Sequence, residues 1–228
     1  MAEQFVIPLW LDLSAVALGA IQGAVFATRI APERHFDILG VCTIGVVTGI
    51  GGGILRDELL DVLPVAMRTN SYLVTAVIAA LAGMLLGHLL NKVELVVVAL
   101  DALSLGLFVV LGVSKAIRLE IAPVPAILVG LVSAIGGSII RDVMMRTEIA
   151  VVQVGSFYAT AVIGGAITFV LMDHYFDVAV ASLIGIIVTF SLRMLSVWFG
   201  WTVPRPRPLR LELRTARRRG EGGIQHLE

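Results

Sequence analysis

The sequence predicts an all-α integral membrane protein. Seven transmembrane helices are expected, as two inverted three-helix repeats plus a seventh helix, with the second and fifth helices broken at glycines. Three observations carry this expectation. First, 58% of the 228 residues are hydrophobic, only 15% are charged and mean hydropathy is +0.96, whereas a soluble domain is about one quarter charged. Second, apolar runs of spanning length follow one another with short loops between them. Third, a glycine-rich stretch ending in Arg-Asp occurs twice. Residues 49–57 read Gly-Ile-Gly-Gly-Gly-Ile-Leu-Arg-Asp, and residues 135–142 read Ile-Gly-Gly-Ser-Ile-Ile-Arg-Asp. Pairing Ile50 with Ile135 sets an offset of 85 (135 − 50 = 85), which places Arg56 on Arg141 and Asp57 on Asp142. The same offset of 85 places Thr75-Ala76-Val77-Ile78 on Thr160-Ala161-Val162-Ile163. Such self-similarity marks a duplicated unit.

The runs come in order. The first covers about residues 6–28 and is interrupted only by Asp12. The second, 38–55, is bounded by Asp37 and Arg56. The third is 72–90, with His88 near its end, and the fourth, 95–114, contains Asp101. The fifth, 121–140, opens with Pro123 and Pro125; the sixth is 149–172. The seventh, 178–201, is crossed by Arg193 and edged by Trp198 and Trp201, which suit a membrane interface. Lipid offers backbone groups no partner, so these runs are expected as helices. The two-residue alternation that a barrel needs is absent.

Loop charge orients the spans. Arg29 and Arg34, Lys92, Arg146 and the tail arginines fall on one side, which should be cytoplasmic, in a cell inner membrane, with the N-terminus outside. Each repeat holds three spans, an odd number, so the second copy inserts upside down. The expected units are 1–92, 93–175, the seventh span at 176–203 and a basic, disordered tail at 204–228 that could touch anionic lipid. With a short gap, Asp12 also falls on Asp101 and Gly23 on Gly112, both at an offset of 89.

The candidate pathway residues are Gly51, Gly52, Gly53, Arg56 and Asp57 in one copy, and Gly136, Gly137, Ser138, Arg141 and Asp142 in the other. A glycine in lipid either lets another helix pack closely or lets its own helix unwind beside protein or water. Paired runs in both halves favour unwinding at a site. Apolar residues continue past the first Arg-Asp pair, so a helix could extend to Leu63 and hold the pair inside the membrane. Intramembrane charges are costly and usually face a cavity. Neighbours on a helix point apart, so each arginine is expected to seek a carboxylate elsewhere: the other repeat's aspartate, Asp12 or Asp101. Asp12 and Asp101, with Ser104, are secondary pathway candidates, although a carboxylate near a helix start also complements the helix dipole. Ser114 is a modest polar candidate. For Arg193 the expectation is packing or a headgroup contact, for His88 an interfacial place, and for Cys42 a buried, inert thiol. No phosphate loop, metal-binding cluster or catalytic triad is present in the sequence, which argues against an enzyme and against a cofactor. Nucleic acid is not an expected partner.

The doubled glycine and Arg-Asp motif, with two triplets of spans plus one, resembles the prokaryotic branch of the TRIC family, the trimeric intracellular cation channels. The resemblance covers the chain to about Trp201. It implies a homotrimer in which each subunit carries its own pore between the repeats. It implies conduction of potassium and other monovalent cations such as sodium, with kinked second and fifth spans bordering the pore. Animal members bind phosphoinositide through a basic segment of the fourth span. Lys115 and Arg118 lie near that position but face outward in the topology above, so the lipid site is not carried over. Similar bacterial sequences are also labelled glycine transporters, and a secondary transporter of glycine or another small zwitterion is the alternative function. The aspartates suit cations and Arg56 and Arg141 suit a carboxylate, so the residues alone leave both open.

Overall fold

The computed structural model describes residues 8–34, 36–90, 94–149, 151 and 157–201. The basic tail from Pro204, Lys92 and the side chain of His88 lie outside the described residues. The helices are α1 (Leu9–Arg34), α2 (Ile38–Leu59), the single turn α3 (Val65–Arg68), α4 (Asn70–Leu90), α5 (Glu94–Arg118), α6 (Pro123–Met145), α7 (Tyr158–Asp173) and α8 (Val178–Trp198). Each apolar run overlaps a helix, although among the described residues the sixth, 149–172, is helical only from Tyr158. Among the described residues six helices are long and apolar enough to cross a membrane, whereas α7 has 16 residues and is about 24 Å long at 1.5 Å per residue.

Local chemistry sets the helix ends. Asp37 caps α2 by accepting from the Gly40 N–H at 2.7 Å, which satisfies a donor the first turn leaves open. Pro123 and Pro125 sit in the first turn of α6, where a missing N–H costs nothing. Helix α2 ends at Leu59 rather than reaching Leu63, because Asp61 turns left-handed (φ 52) and the Val62 N–H returns to the Asp57 carbonyl at 3.0 Å. Helix α6 ends the same way: Arg146 is left-handed (φ 53) and the Thr147 N–H meets the Asp142 carbonyl at 3.0 Å.

The expected glycine breaks are not there. Helix α2 runs unbroken through Gly51, Gly52 and Gly53, and α6 through Gly136, Gly137 and Ser138. The reason is packing. A Cβ on Gly52 would collide with the carbonyl oxygen of Ser133, and one on Gly137 with the carbonyl oxygen of Thr48. Helices α2 and α6 therefore cross backbone to backbone, and close dispersion contact offsets the poor helix propensity of glycine. The contacts are reciprocal. A Cβ on Gly51 would lie 3.0 Å from Ile140 Cδ1 and one on Gly136 would lie 2.7 Å from Leu55 Cδ1. Every partner is displaced by the same 85 residues found in the sequence (133 − 48, 137 − 52, 140 − 55, 136 − 51).

Around this central crossing, α1 packs on α2 and α4, and α5 on α6 and α8, with α7 against α8. Small residues make the approaches: Ala20 and Ala24 of α1 are fully buried, and a Cβ on Gly49 would lie 2.6 Å from the Val16 carbonyl oxygen. Large apolar side chains point outward instead, among them Leu39 at 73% and Trp198 at 82% exposure. A surface of this kind suits lipid. Cys42 is half-buried against the core rather than fully buried.

Candidate functional site

The two Arg-Asp pairs are buried. Arg56, Asp57, Arg141 and Asp142 are each 3% exposed or less. Contrary to expectation, each arginine does meet its own neighbour. Arg56 Nε donates to Asp57 Oδ1 at 2.7 Å, and Arg141 Nε donates to Asp142 Oδ1 at 2.8 Å, with Nη2 2.7 Å from the same oxygen. The Cβ atoms diverge, but the long arginine side chain curls back far enough to reach. Asp57 is held further: Lys115 Nζ donates to Oδ1 at 2.7 Å and the Val65 N–H donates to Oδ2 at 2.9 Å. Lys115 is thus a half-buried counter-ion on α5. Asp57 also pins the turn between α2 and α3 to the end of α2.

Each triplet has a second link. Tyr72, early in α4, donates its hydroxyl to Asp12 Oδ2 at 2.6 Å, and Arg56 Nη1 lies 3.9 Å from Asp12 Oδ1. Asp12 sits in the first turn of α1, so it serves the helix end and the cluster together. Tyr158, at the start of α7, donates to Asp101 Oδ1 at 3.1 Å, and Gln22 Nε2 donates to the same oxygen at 3.0 Å. Of the two expectations for Arg193, packing rather than a headgroup contact is found. Its guanidinium lies 4.8 Å from the centre of the Tyr158 ring and its Nε is 3.9 Å from Asp101 Oδ2. The Arg141 guanidinium stacks 4.2 Å from the centre of the Phe26 ring.

Cavities follow these groups. A vestibule of about 320 Å³ is bounded by α1, α5, α6, α7 and α8, with Gln22, Phe26, Arg29, Asp101, Arg141, Tyr158 and Arg193 on its wall. Gln22, Asp101 and Tyr158 also border a second cavity of about 10 Å³, where Thr48, Gly52, Ser104, Ser133, Gly137 and Ser138 complete the wall. That space is on the order of one water. Ser133 Oγ is buried there with no hydrogen-bond partner, whereas Ser138 Oγ donates to the Ile135 carbonyl at 2.8 Å. A third cavity, also about 10 Å³, lies beyond Gly53 and is lined by Asp12, Arg56 and Tyr72. Ser114 is buried at a separate apolar pocket between α1, α5 and α8.

Most sequence candidates therefore border one of these three cavities: Gly52, Asp101, Ser104, Gly137, Ser138 and Arg141 the first two, and Gly53, Arg56 and Asp12 the third. Gly51 and Gly136 pack between α2 and α6 without lining a cavity described here, and Asp57 and Asp142 stand behind their arginines. Gln22, Tyr72, Tyr158, Ser133, Lys115 and Arg193 are further members not singled out for the site from sequence. The tyrosines had a signal, since each opens the third helix of its triplet at an offset of 86 (158 − 72), one residue from the main register. Among the described residues no cluster of metal-ligating side chains is found.

These features define a polytopic membrane protein whose fold is that of the TRIC channels. The structure superimposes on the TRIC trimeric intracellular cation channel orthologue from Rhodobacter sphaeroides with a TM-score of 0.76 at 28% identity, covering 84% of this chain and 97% of that one. A second structure, a TRIC cation channel studied for conductance, matches with a TM-score of 0.77 at 27% identity, over 89% and 98% of the two chains. The family model described as "Glycine transporter" matches residues 9–88 and 98–174. The UPF0126 inner membrane protein YadS of Escherichia coli strain K12 is 34% identical over 199 residues, 86% of this chain and 94% of that protein. The chain belongs to the glycine-transporter family, with UPF0126 membrane proteins among its relatives, and it is similar in fold to solved prokaryotic TRIC channels.

Proposed function

We propose that the chain is a cation channel, selective for monovalent ions including potassium, whose pore runs inside each subunit between the two inverted repeats, along these cavities. The observation that carries this is Ser133: a buried hydroxyl without a hydrogen-bond partner in the protein, on a water-sized space whose wall also carries Asp101, with Asp12 on a further cavity. A buried oxygen left open is costly unless water or an ion completes it. The reciprocal contacts at an offset of 85 support two halves related by a pseudo-two-fold axis in the membrane plane. Homotrimeric assembly is supported by the solved neighbour described as trimeric. The proposed orientation puts the vestibule on the cytoplasmic side, with the ends of α1, α6 and α8.

Arg56 and Arg141 are each neutralised by the adjacent aspartate, which reduces their repulsion of a cation. Two like charges about 4 Å apart would otherwise cost on the order of 4 kcal/mol at an effective dielectric of 20. Purified protein in planar bilayers tests the reading. Unitary steps whose reversal potential follows the potassium gradient are expected. Saturable glycine counterflow without unitary steps would establish a carrier in its place. Cysteines placed at Arg68 and Arg146, in a Cys42→Ser background, should react with an impermeant reagent from opposite sides; labelling of both from one side would refute the inverted arrangement.

A further inference from the structure

We propose, resting on the vestibule being part of the cation path, that Arg193 keeps that path selective for monovalent over divalent cations. It does so by cancelling the charge of Asp101 while leaving one carboxylate oxygen open to a passing ion.

Asp101 borders both the cavity of about 320 Å³ and the water-sized cavity beside it. An ion moving between the two passes this carboxylate, whose oxygens differ. Oδ1 is taken by Gln22 Nε2 at 3.0 Å and by the Tyr158 hydroxyl at 3.1 Å. Oδ2 takes no hydrogen bond from the described residues, and Arg193 Nε stands 3.9 Å from it. That is too long for a hydrogen bond but well within the reach of a charge. Arg193 therefore compensates the carboxylate without occupying it. Tyr158 fixes the spacing: its hydroxyl holds Oδ1 while its ring lies 4.8 Å from Arg193 Cζ, a cation–π contact. The other cations on this wall are committed. Arg141 is bound to Asp142 at 2.7 and 2.8 Å, and Arg29 is partnered.

The arrangement recurs in the first triplet with different residues. Tyr72 donates to Asp12 Oδ2, and Arg56 Nη1 stands 3.9 Å from Oδ1. The side chains of Asp12 and Asp101 are 15% and 16% exposed. By the offset of 85, Arg141 would be the companion of Asp101; α8, which lies outside the repeat, supplies Arg193 in its place. A spacing rebuilt from an unrelated helix points to a use for the spacing itself. Coulomb energy scales with the charge of the ion, so a fixed guanidinium opposes a divalent cation twice as strongly as a monovalent one. Without Arg193 the bare carboxylate would attract the divalent ion twice as strongly, and hard divalent cations take carboxylate oxygens as ligands.

The test uses the full-length protein with magnesium as the probe. In detergent at fixed ionic strength, magnesium chloride should raise the Tm of Arg193→Gln saturably, because a ligand that binds the folded form stabilises it. Half-saturation should lie at least roughly tenfold below that of wild type. Arg193→Met, which also removes the charge but keeps an apolar stem against the Tyr158 ring, should match it. Arg193→Lys keeps the charge and should behave as wild type. Arg193→Gln combined with Asp101→Asn should lose the response. A merely structural arginine would lower Tm on substitution and leave the magnesium response alone. In planar bilayers, magnesium should block the potassium current of Arg193→Gln at a correspondingly lower concentration than that of wild type. The proposal is overturned if neither uncharged variant gains a magnesium response over wild type, if Arg193→Lys gains as much, if the double variant keeps it, or if block of Arg193→Gln needs as much magnesium as block of wild type. Absence of unitary current from every protein would count against the channel reading instead, and the Tm series then decides whether Arg193 keeps divalent cations from Asp101.

Discussion

Gly52 on α2 and Gly137 on α6 face each other so closely that a Cβ on either would lie 3.5 Å from the amide nitrogen of the other. Each such Cβ would also collide with a backbone carbonyl oxygen, of Ser133 or of Thr48. Backbone cannot swing aside as a flexible side chain can. Gly52→Ala and Gly137→Ala should each destabilise the protein by about 1–3 kcal/mol through overpacking. Gly53 is the control, because a Cβ there would meet nothing nearer than Arg56 Nη2 at 3.9 Å. Gly53→Ala should be neutral or stabilising by up to about 1 kcal/mol from helix propensity. Unfolding of the three variants in detergent checks this; equal losses at all three would mean that the crossing is looser than described.

Asp57 is fully buried and receives bonds from Arg56, Lys115 and the Val65 N–H. Removing its charge leaves the buried Arg56 cation without its short partner. Asp57→Asn should cost about 3–5 kcal/mol. Lys115→Met should cost less, because Lys115 is 23% exposed on its side chain and water can share its place. If the three charges form one network, the double variant Asp57→Asn with Lys115→Met should lose less than the sum of the two single losses. Denaturant titration of the four proteins measures the coupling, and strict additivity would dissolve the network into independent contacts.

The sequence made the spans and the duplication readable because both are written in periodic, local terms: run length, glycine spacing and one constant offset. The fate of the glycines was not readable in the same way. Whether Gly52 unwinds its helix or packs it depends on Ser133, 81 residues away (133 − 52). The Arg-Asp pairs were located correctly as buried features, but their partners were not, since Cβ directions on a helix understate the reach of an arginine. Lys115 lies 58 residues from Asp57 and Arg193 lies 92 from Asp101 (193 − 101). No local window contains those pairs. Arg193 is harder still, because α8 has no counterpart in the repeat to suggest where its charge points.

Tyr72 and Tyr158 tie the third helix of each triplet to the first through Asp12 and Asp101, at 2.6 and 3.1 Å. Hydrogen bonds to charged groups contribute about 1.5–3 kcal/mol. Tyr72→Phe and Tyr158→Phe should each lose stability of that order while keeping ring packing intact. Thermal unfolding compares the two. A loss at one position alone would mean that the halves share a sequence pattern without sharing its mechanical role.

Ser133 separates structure from conduction most sharply. Its hydroxyl is buried, and it has no hydrogen-bond partner in the protein. Its removal therefore breaks no protein hydrogen bond, and Ser133→Ala should leave Tm unchanged or slightly raised. If the hydroxyl oxygen instead helps to replace the hydration shell of a passing cation, the same change should lower unitary conductance roughly two- to fivefold, the factor for about 0.5–1 kcal/mol of lost interaction. Ser138→Ala is the contrast: that hydroxyl is already committed to the Ile135 carbonyl at 2.8 Å, so its loss should weigh on stability more than on current. Single-channel recordings in symmetrical potassium, with unfolding of the same preparations, read both quantities. An unchanged unitary current in Ser133→Ala would remove the hydroxyl from the ion path, and the pore would then have to bypass the cavity beside Ser133.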